Sequence, residues 1–158
     1  MNVRKLVMLS ASHLMTFVFG FAFGIYMLPI LIAPPSPSSE SVTEMSKSSL
    51  YKAEFVRDLK DSDNFHWGEG KVSIGKDFIA FEGELAPGPD YKLYLSKSFL
   101  ETETEFNKLK LSMIQVGDVN TFDNFIVDLP LEINVNHYNT VIVWCETFGE
   151  FITAAAYQ

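Results

Sequence analysis

From Leu6 to Ala33 the chain contains no Asp, Glu, Lys or Arg, and that single run constrains the protein more than anything after it. Its densest part, "LMTFVFGFAFGIYMLPILIA" from Leu14 to Ala33, is 20 residues long. About 20 apolar residues in a helix cross a bilayer core of about 30 Å. A cleaved secretory signal carries a shorter apolar region of roughly 7–15 residues and then a small-residue cleavage site. Here the run is longer, and Pro34 and Pro35 stand where cleavage would fall. Residues 1–33 therefore read as an uncleaved signal anchor, one membrane span. Arg4 and Lys5 are expected on the cytoplasmic side by the positive-inside rule, which places the remainder on the periplasmic or extracellular face of the cytoplasmic membrane. His13 is expected at headgroup level near that basic pair. Gly20 and Gly24 have the spacing of close helix approach, although glycine is also common in membrane helices.

Residues 34–49 follow as a linker rich in Pro and Ser ("PPSPSSESVTEMSKSS"). With little to bury, such a stretch does not offset its ordering entropy, and a mobile spacer is expected. Residues 50–158 then form one domain, large enough to fold on its own core. Of 12 basic residues, ten lie after Ala33 together with all 20 acidic ones, so the exported part carries about −10. That balance excludes the basic footprint of a nucleic-acid module. It also predicts repulsion from anionic headgroups.

The domain reads as short strands broken by turns. "KVSI" (Lys71–Ile74) and "FIAFEG" (Phe78–Gly83) flank Gly75-Lys76-Asp77, a hairpin signal. In "YKLYLS", Tyr91, Leu93 and Leu95 share one face. "FIVDLP" (Phe125–Pro130), "TVIVWCETF" (Thr140–Phe148) and "FITAAAY" (Phe151–Tyr157) add further strands, the last two joined near Gly149. "LYKAEFVRDL" is ambiguous between strand and helix, and "SFLETETEFNKLK" is too polar for a core strand and reads as a loop or a helical turn. The pattern predicts an all-β fold, an antiparallel sandwich or small barrel.

Cys145 is the only cysteine. Val141, Val143 and Cys145 point to one face of their strand, and Ile142, Trp144 and Glu146 to the other. Both faces are apolar before Glu146, so a central strand covered on both sides is expected. A free cysteine often serves as a small buried hydrophobe. Against that, an exported lone thiol sits in an oxidising space without an internal partner. Both roles stay open. Cys-x-x-Cys-His is absent, so covalent c-type haem attachment is excluded. Cys145, His66, His137 and Met113 match in type the donors of an electron-transfer copper site, but not in spacing, because neither His nor Met follows Cys145. A haem axial thiolate is chemically open. A cysteine–histidine nucleophile has no supporting pattern around His66 or His137.

Three blocks carry a resemblance: "HWGEGKVSI" (His66–Ile74), "FEGELAPGPDYKLYLS" (Phe81–Ser96) and "YNTVIVWCETFGEFITAAAY" (Tyr138–Tyr157). In that order and spacing they resemble the DM-thirteen domain family, also called the electron-transfer DM-thirteen domain, which occurs beside DOMON domains in Skeletor-type proteins. The resemblance spans the whole exported domain. It implies an all-β fold and an extracytoplasmic redox or electron-transfer role centred on Cys145, as a bare thiol or as a ligand to a prosthetic group such as haem, with copper less expected. His66 and Asp90 match characteristic family positions. The stretch "GDVNTFDNFIVDLP" departs from the pattern, with Phe122 and Phe125 near an expected tyrosine. No DOMON or haem-binding domain accompanies the domain in this chain, so a redox partner would be a separate protein.

Gly88, Pro89 and Asp90 read as a turn, in which Pro fixes φ and Asp90 bonds nearby backbone. Trp144 reads as a core plug, and Phe122, Phe125, Phe148 and Phe151 as core. His66 beside Trp67 either neighbours Cys145 and tunes its pKa or is an ordinary surface histidine. The expected function is redox or electron transfer at Cys145, with His66 as neighbour. The alternative is a non-catalytic adhesion or protein-binding module in which Cys145 is inert. A substrate-turnover enzyme is not expected, since no nucleophile elbow, paired-carboxylate pattern or metal-binding spacing appears.

Overall fold

The computed structural model describes residues 2–158. It begins with α1, Val3–Ile32, a single 30-residue helix. At about 1.5 Å per residue this is roughly 45 Å long, some 15 Å more than a hydrocarbon core. The helix is long and apolar enough to be a membrane span or a signal anchor.

The segment expected to be a mobile spacer contains a helix. Ser38 caps α2, Ser39–Ser46, by accepting from the Ser41 N–H. Val42 is buried against Phe78 and Ala80, with Met45 and Ile126 alongside. The chain does have something to bury here: two apolar residues three apart fall on one helical face.

Eight strands form two antiparallel sheets of four. The first holds β1 (Tyr51–Phe55), β2 (Gly68–Ile74), β3 (Phe78–Leu85) and β6 (Phe125–Asp128), in the order β1-β2-β3-β6. The second holds β4 (Tyr91–Ser96), β5 (Ile114–Val119), β7 (Thr140–Cys145) and β8 (Glu150–Ala156), in the order β5-β4-β7-β8. The edges β1 and β8 lie together, as do β5 and β6, so the sandwich is closed along both sides. This is the all-β sandwich that the turn spacing predicts. The ambiguous segment near Leu50 is strand β1, and the Gly75 N–H closes the expected hairpin on the Phe78 carbonyl at 2.8 Å.

Between the sheets lie Phe55, Ile79 and Phe81 from one side and Leu93, Val141, Val143 and Ile152 from the other. Phe81 is flanked by Phe55 and Phe125, with ring centroids at 5.4 and 5.0 Å. Fully burying such a side chain is worth about 1.5–3 kcal/mol, so this layer holds the sheets together.

Two differences from the expectation shape the site. The last hairpin narrows: β7 stops at Cys145, and Glu146–Gly149 form a turn that leaves Phe148 about half exposed rather than core. The polar stretch after β4 contains a helix, α3 (Glu103–Leu109), which covers the outer face of the second sheet with Phe106. Thr102-x-x-Glu105 caps it: the Thr102 hydroxyl accepts from the Glu105 N–H, and Glu105 reaches back to the Glu101 N–H.

Candidate functional site

The alternation of β7 sends Val141, Val143 and Cys145 into the sandwich core and Ile142 and Trp144 to the outer layer. Cys145 lies opposite Tyr91, the first residue of β4. The turn that delivers Tyr91 is held to the end of β7. Asp90 adopts φ +59°, a left-handed conformation that Asp tolerates better than most residues. Its carbonyl accepts from the Glu146 N–H at 3.1 Å, and its carboxylate accepts from Thr147 Oγ1 and Lys92 Nζ at 3.1 and 2.7 Å. The Lys92 bond, with help from Thr147, holds the Asp90 carboxyl below its usual range. Gly88 is required in this turn: a Cβ there would stand 2.5 Å from Tyr91 Oη. Its absence lets the phenol donate to the Ala86 carbonyl at 2.8 Å.

The clamped turn also fixes the thiol. Cys145 is 2% exposed, and its S–H donates to the Pro89 carbonyl at 3.0 Å. Burial pushes the thiol pKa up, and the Asp90 and Glu150 carboxylates add to it. The backbone N–H groups of Phe148 and Thr147 act the other way without reversing it. Cys145 at neutral pH is therefore a protonated, hydrogen-bonded thiol. Burial, with the thiol beside it, likewise pushes the Tyr91 phenol far above its usual range.

Beside the sulfur is a cavity of about 150 Å³, walled by Tyr91, Ile152, Pro87, Pro89 and Cys145, with Phe65, His66 and Phe148 towards its mouth and α1 across it. Cys145 and His66, distant in sequence, both line it. His66 is oriented by Asp63, whose Oδ1 accepts from the Phe65 and His66 N–H groups at 2.6 and 2.8 Å. Burial raises the Asp63 pKa, but these bonds and the His66 ring outweigh it, and the carboxyl sits below its usual range. An ionised carboxylate only accepts, so His66 Nδ1, 3.2 Å from Asp63 Oδ2, carries the hydrogen.

The other sequence candidates lie apart. His137 is in the short turn before β7, and the five strand steps from Thr140 to Cys145, roughly 17 Å, lie between them. Met113 packs under α3 on the outer layer. The soft donor set for copper is thus dispersed, and among the described residues no group of three or more His, Cys, Asp or Glu side chains is placed to hold a metal ion. A cavity of about 150 Å³ takes a benzene-sized molecule, whereas drug-sized ligands need roughly 300–1,000 Å³. A haem macrocycle does not fit this cavity.

Sequence reasoning expects cover on both faces of β7 but does not identify what covers the outer one. Trp144 stacks on Phe106 at 3.8 Å and 8° between planes, and Tyr94 meets Phe106 edge-on at 5.2 Å. The Tyr94 hydroxyl donates to Glu146 Oε1, and Lys110 Nζ donates to Glu146 Oε2 at 2.7 Å. Burial raises the Glu146 pKa, but Lys110 and Tyr94 outweigh it and hold the carboxyl below its usual range. Among the described residues the indole N–H of Trp144 has no acceptor. A signal was present: Glu146 follows the apolar run on the Trp144 face, and Thr102-x-x-Glu105 announces the helix that covers it.

No curated protein and no solved structure matches the chain. The family model described as electron transfer DM13 matches residues 55–157, from the end of β1 to the penultimate residue. This confirms the resemblance drawn from the three sequence blocks and covers both sheets, the clamped turn, His66 and Cys145. The chain therefore belongs to the electron transfer DM13 family, with the electron-transfer-related role that membership implies.

Proposed function

We propose that this protein is a single-pass, membrane-anchored electron-transfer domain, held outside the cytoplasmic membrane by α1, with its redox chemistry centred on Cys145 and His66 beside it. The observation that carries the reading is that these two residues line the same cavity inside a domain of an electron-transfer family. α1 and the Arg4/Lys5 pair ahead of its apolar run support the topology. The thiol begins protonated, so a change of charge at sulfur must be accompanied by loss of its proton. His66 Nε2 makes no hydrogen bond within the described residues and is an available acceptor. A separate redox protein exchanges the electron, because the cavity is too small for a macrocycle.

One observation favours a second reading. Cys145 is buried, protonated and satisfied by Pro89, as an inert core cysteine would be, which leaves a tethered adhesion or protein-binding module. The readings separate in a mediator-assisted electrochemical titration of the full chain in detergent, recorded with its visible absorption. The redox reading expects a reversible oxidation, in which one electron and the S–H proton leave the thiol and return on reduction, with a midpoint that disappears in Cys145→Ser. Identical titrations for the two proteins overturn it and leave the binding module.

A further inference from the structure

We propose that the Cys145 cavity binds the head ring of a lipid-borne quinone entering from the membrane. The inference rests on the electron-transfer reading and names the small molecule that the site admits. Size comes first. The volume of about 150 Å³ is that of one six-membered ring, too small for a fused or macrocyclic cofactor and too compact for the length of an acyl chain. The walls come second. Tyr91 and Ile152 supply apolar surface, and Phe65 and Phe148 stand at the mouth.

Those two phenylalanines are 65% and 52% exposed, apolar surface that an exported, acidic domain has no folding reason to display. They face the helix: Ala22, Ile25 and Tyr26 of α1 complete the cavity. α1 exceeds the hydrocarbon core by about 15 Å, and the first turn with Arg4 and Lys5 takes roughly 5 Å of that on the far side, so its last two turns, from about Tyr26, can stand at headgroup depth. Tyr26, Phe65 and Phe148 then form an aromatic cluster at the membrane interface, where such side chains concentrate. A ligand arriving there comes from the lipid phase.

Polar chemistry selects a quinone from among ring-bearing lipids. The hydrogen-bonding groups of Tyr91 and Cys145 are spent on the Ala86 and Pro89 carbonyls. His66 Nε2 remains, with Nδ1 held by Asp63. A neutral His66 accepts from a quinol hydroxyl at Nε2, and a protonated one donates to a quinone carbonyl. One ring oxygen against His66, as a quinol hydroxyl donating to the neutral imidazole, and an apolar ring against Tyr91 and Ile152 match the lining of the cavity.

The test uses the full chain in phosphatidylcholine nanodiscs and decylbenzoquinone as probe, with binding measured by equilibrium titration against empty nanodiscs. Saturable binding is expected, weakened at least tenfold by Phe148→Glu, which alters only an exposed rim, and by Ile152→Trp, which fills the cavity. His66→Leu is expected to weaken binding of the reduced probe, decylbenzoquinol, while leaving benzene-ring analogues without hydroxyls unaffected. Binding that merely follows partition into lipid, or that is unchanged in Phe148→Glu and His66→Leu, overturns the proposal. The outcome is distinguishable from that of the redox reading. Saturable binding without a Cys145-dependent midpoint sustains the quinone site and removes the redox role of the thiol. A Cys145-dependent midpoint without saturable binding does the reverse.

Discussion

The two faces of β7 carry neighbouring residues in opposite situations. Trp144, on the outer face, is closed in: its ring is 1% exposed, stacked on Phe106, and roofed by the Tyr94–Glu146–Lys110 hydrogen bonds. Cys145, on the inner face, is just as buried but lines a cavity of about 150 Å³, with its sulfur held by a turn rather than by packing. The difference lies in how each position is filled. One has been packed to completion, and the other has been left with space and a hydrogen bond. Packing without space reads as stability, and space beside a functional group reads as a site.

The sharpest way to break this contrast is to truncate both residues. Removing a packed aromatic ring forfeits its transfer free energy and leaves a cavity, about 3–5 kcal/mol for Trp→Ala. Trp144→Ala is expected to lose that much in urea denaturation of the full chain followed by circular dichroism. Cys145→Ala removes one sulfur from the wall of an existing cavity and is expected to cost about 1 kcal/mol. Equal losses would show Cys145 to be ordinary core and would erase the distinction.

Much of this contrast was legible in the sequence, and the limits of legibility have physical causes. Strand alternation places Cys145 and Trp144 on opposite faces, and the Tyr91-Leu93-Leu95 face is the one that meets Cys145. Gly88-Pro89-Asp90 reads as a turn, and the chain bends at Pro89 and Asp90 between β3 and β4. What the turn does was not legible, because its clamp on Glu146 and Thr147 joins residues more than fifty positions apart. Strand β5 was passed over for a related reason. "IQVGDV" lacks clean alternation because the chain bulges between the residues facing Leu93 and Tyr94. The helices α2 and α3 were hidden by polarity, each burying a single face through Val42 or Phe106. Phe148 looks like core by type alone, and only the early end of β7 puts it at a rim.

A second comparison sharpens the state of the thiol. Being the only cysteine, Cys145 can be followed by alkylation without ambiguity. Burial holds its pKa above the ordinary value, and only the thiolate reacts. At pH 7 the folded chain is expected to label at least tenfold more slowly than the urea-unfolded chain, with the folded rate still rising above pH 9. A folded protein that labels as fast as the unfolded one at pH 7 would contradict the protonated, Pro89-bound thiol.

The smallest expected effect concerns the outer face and has a defined sign. Glu146 is held below its ordinary pKa by Lys110 and Tyr94, which outweigh its burial. The stability it contributes is complete above an ordinary glutamate pKa of about 4.3 and is lost as the pH falls through the lower folded value. Glu103 has the opposite sign. Its hydrogen bond to Glu150, with burial, raises its pKa, so its contribution is complete below the ordinary value and drains away as the pH rises through the folded one. Because Lys110 and Glu146 are partly exposed, Glu146→Gln is expected to cost only about 1 kcal/mol at pH 7 and to flatten the decline in stability between pH 5 and pH 3. Glu103→Gln is expected to steepen that decline on the acid side by removing the term that opposes it, and to stabilise slightly at pH 7. If both variants changed the acid limb in the same direction, the two carboxyls would not be held as their hydrogen bonds require. The covering of Trp144 would then be packing alone, without the charged roof that separates it from the open side of the strand.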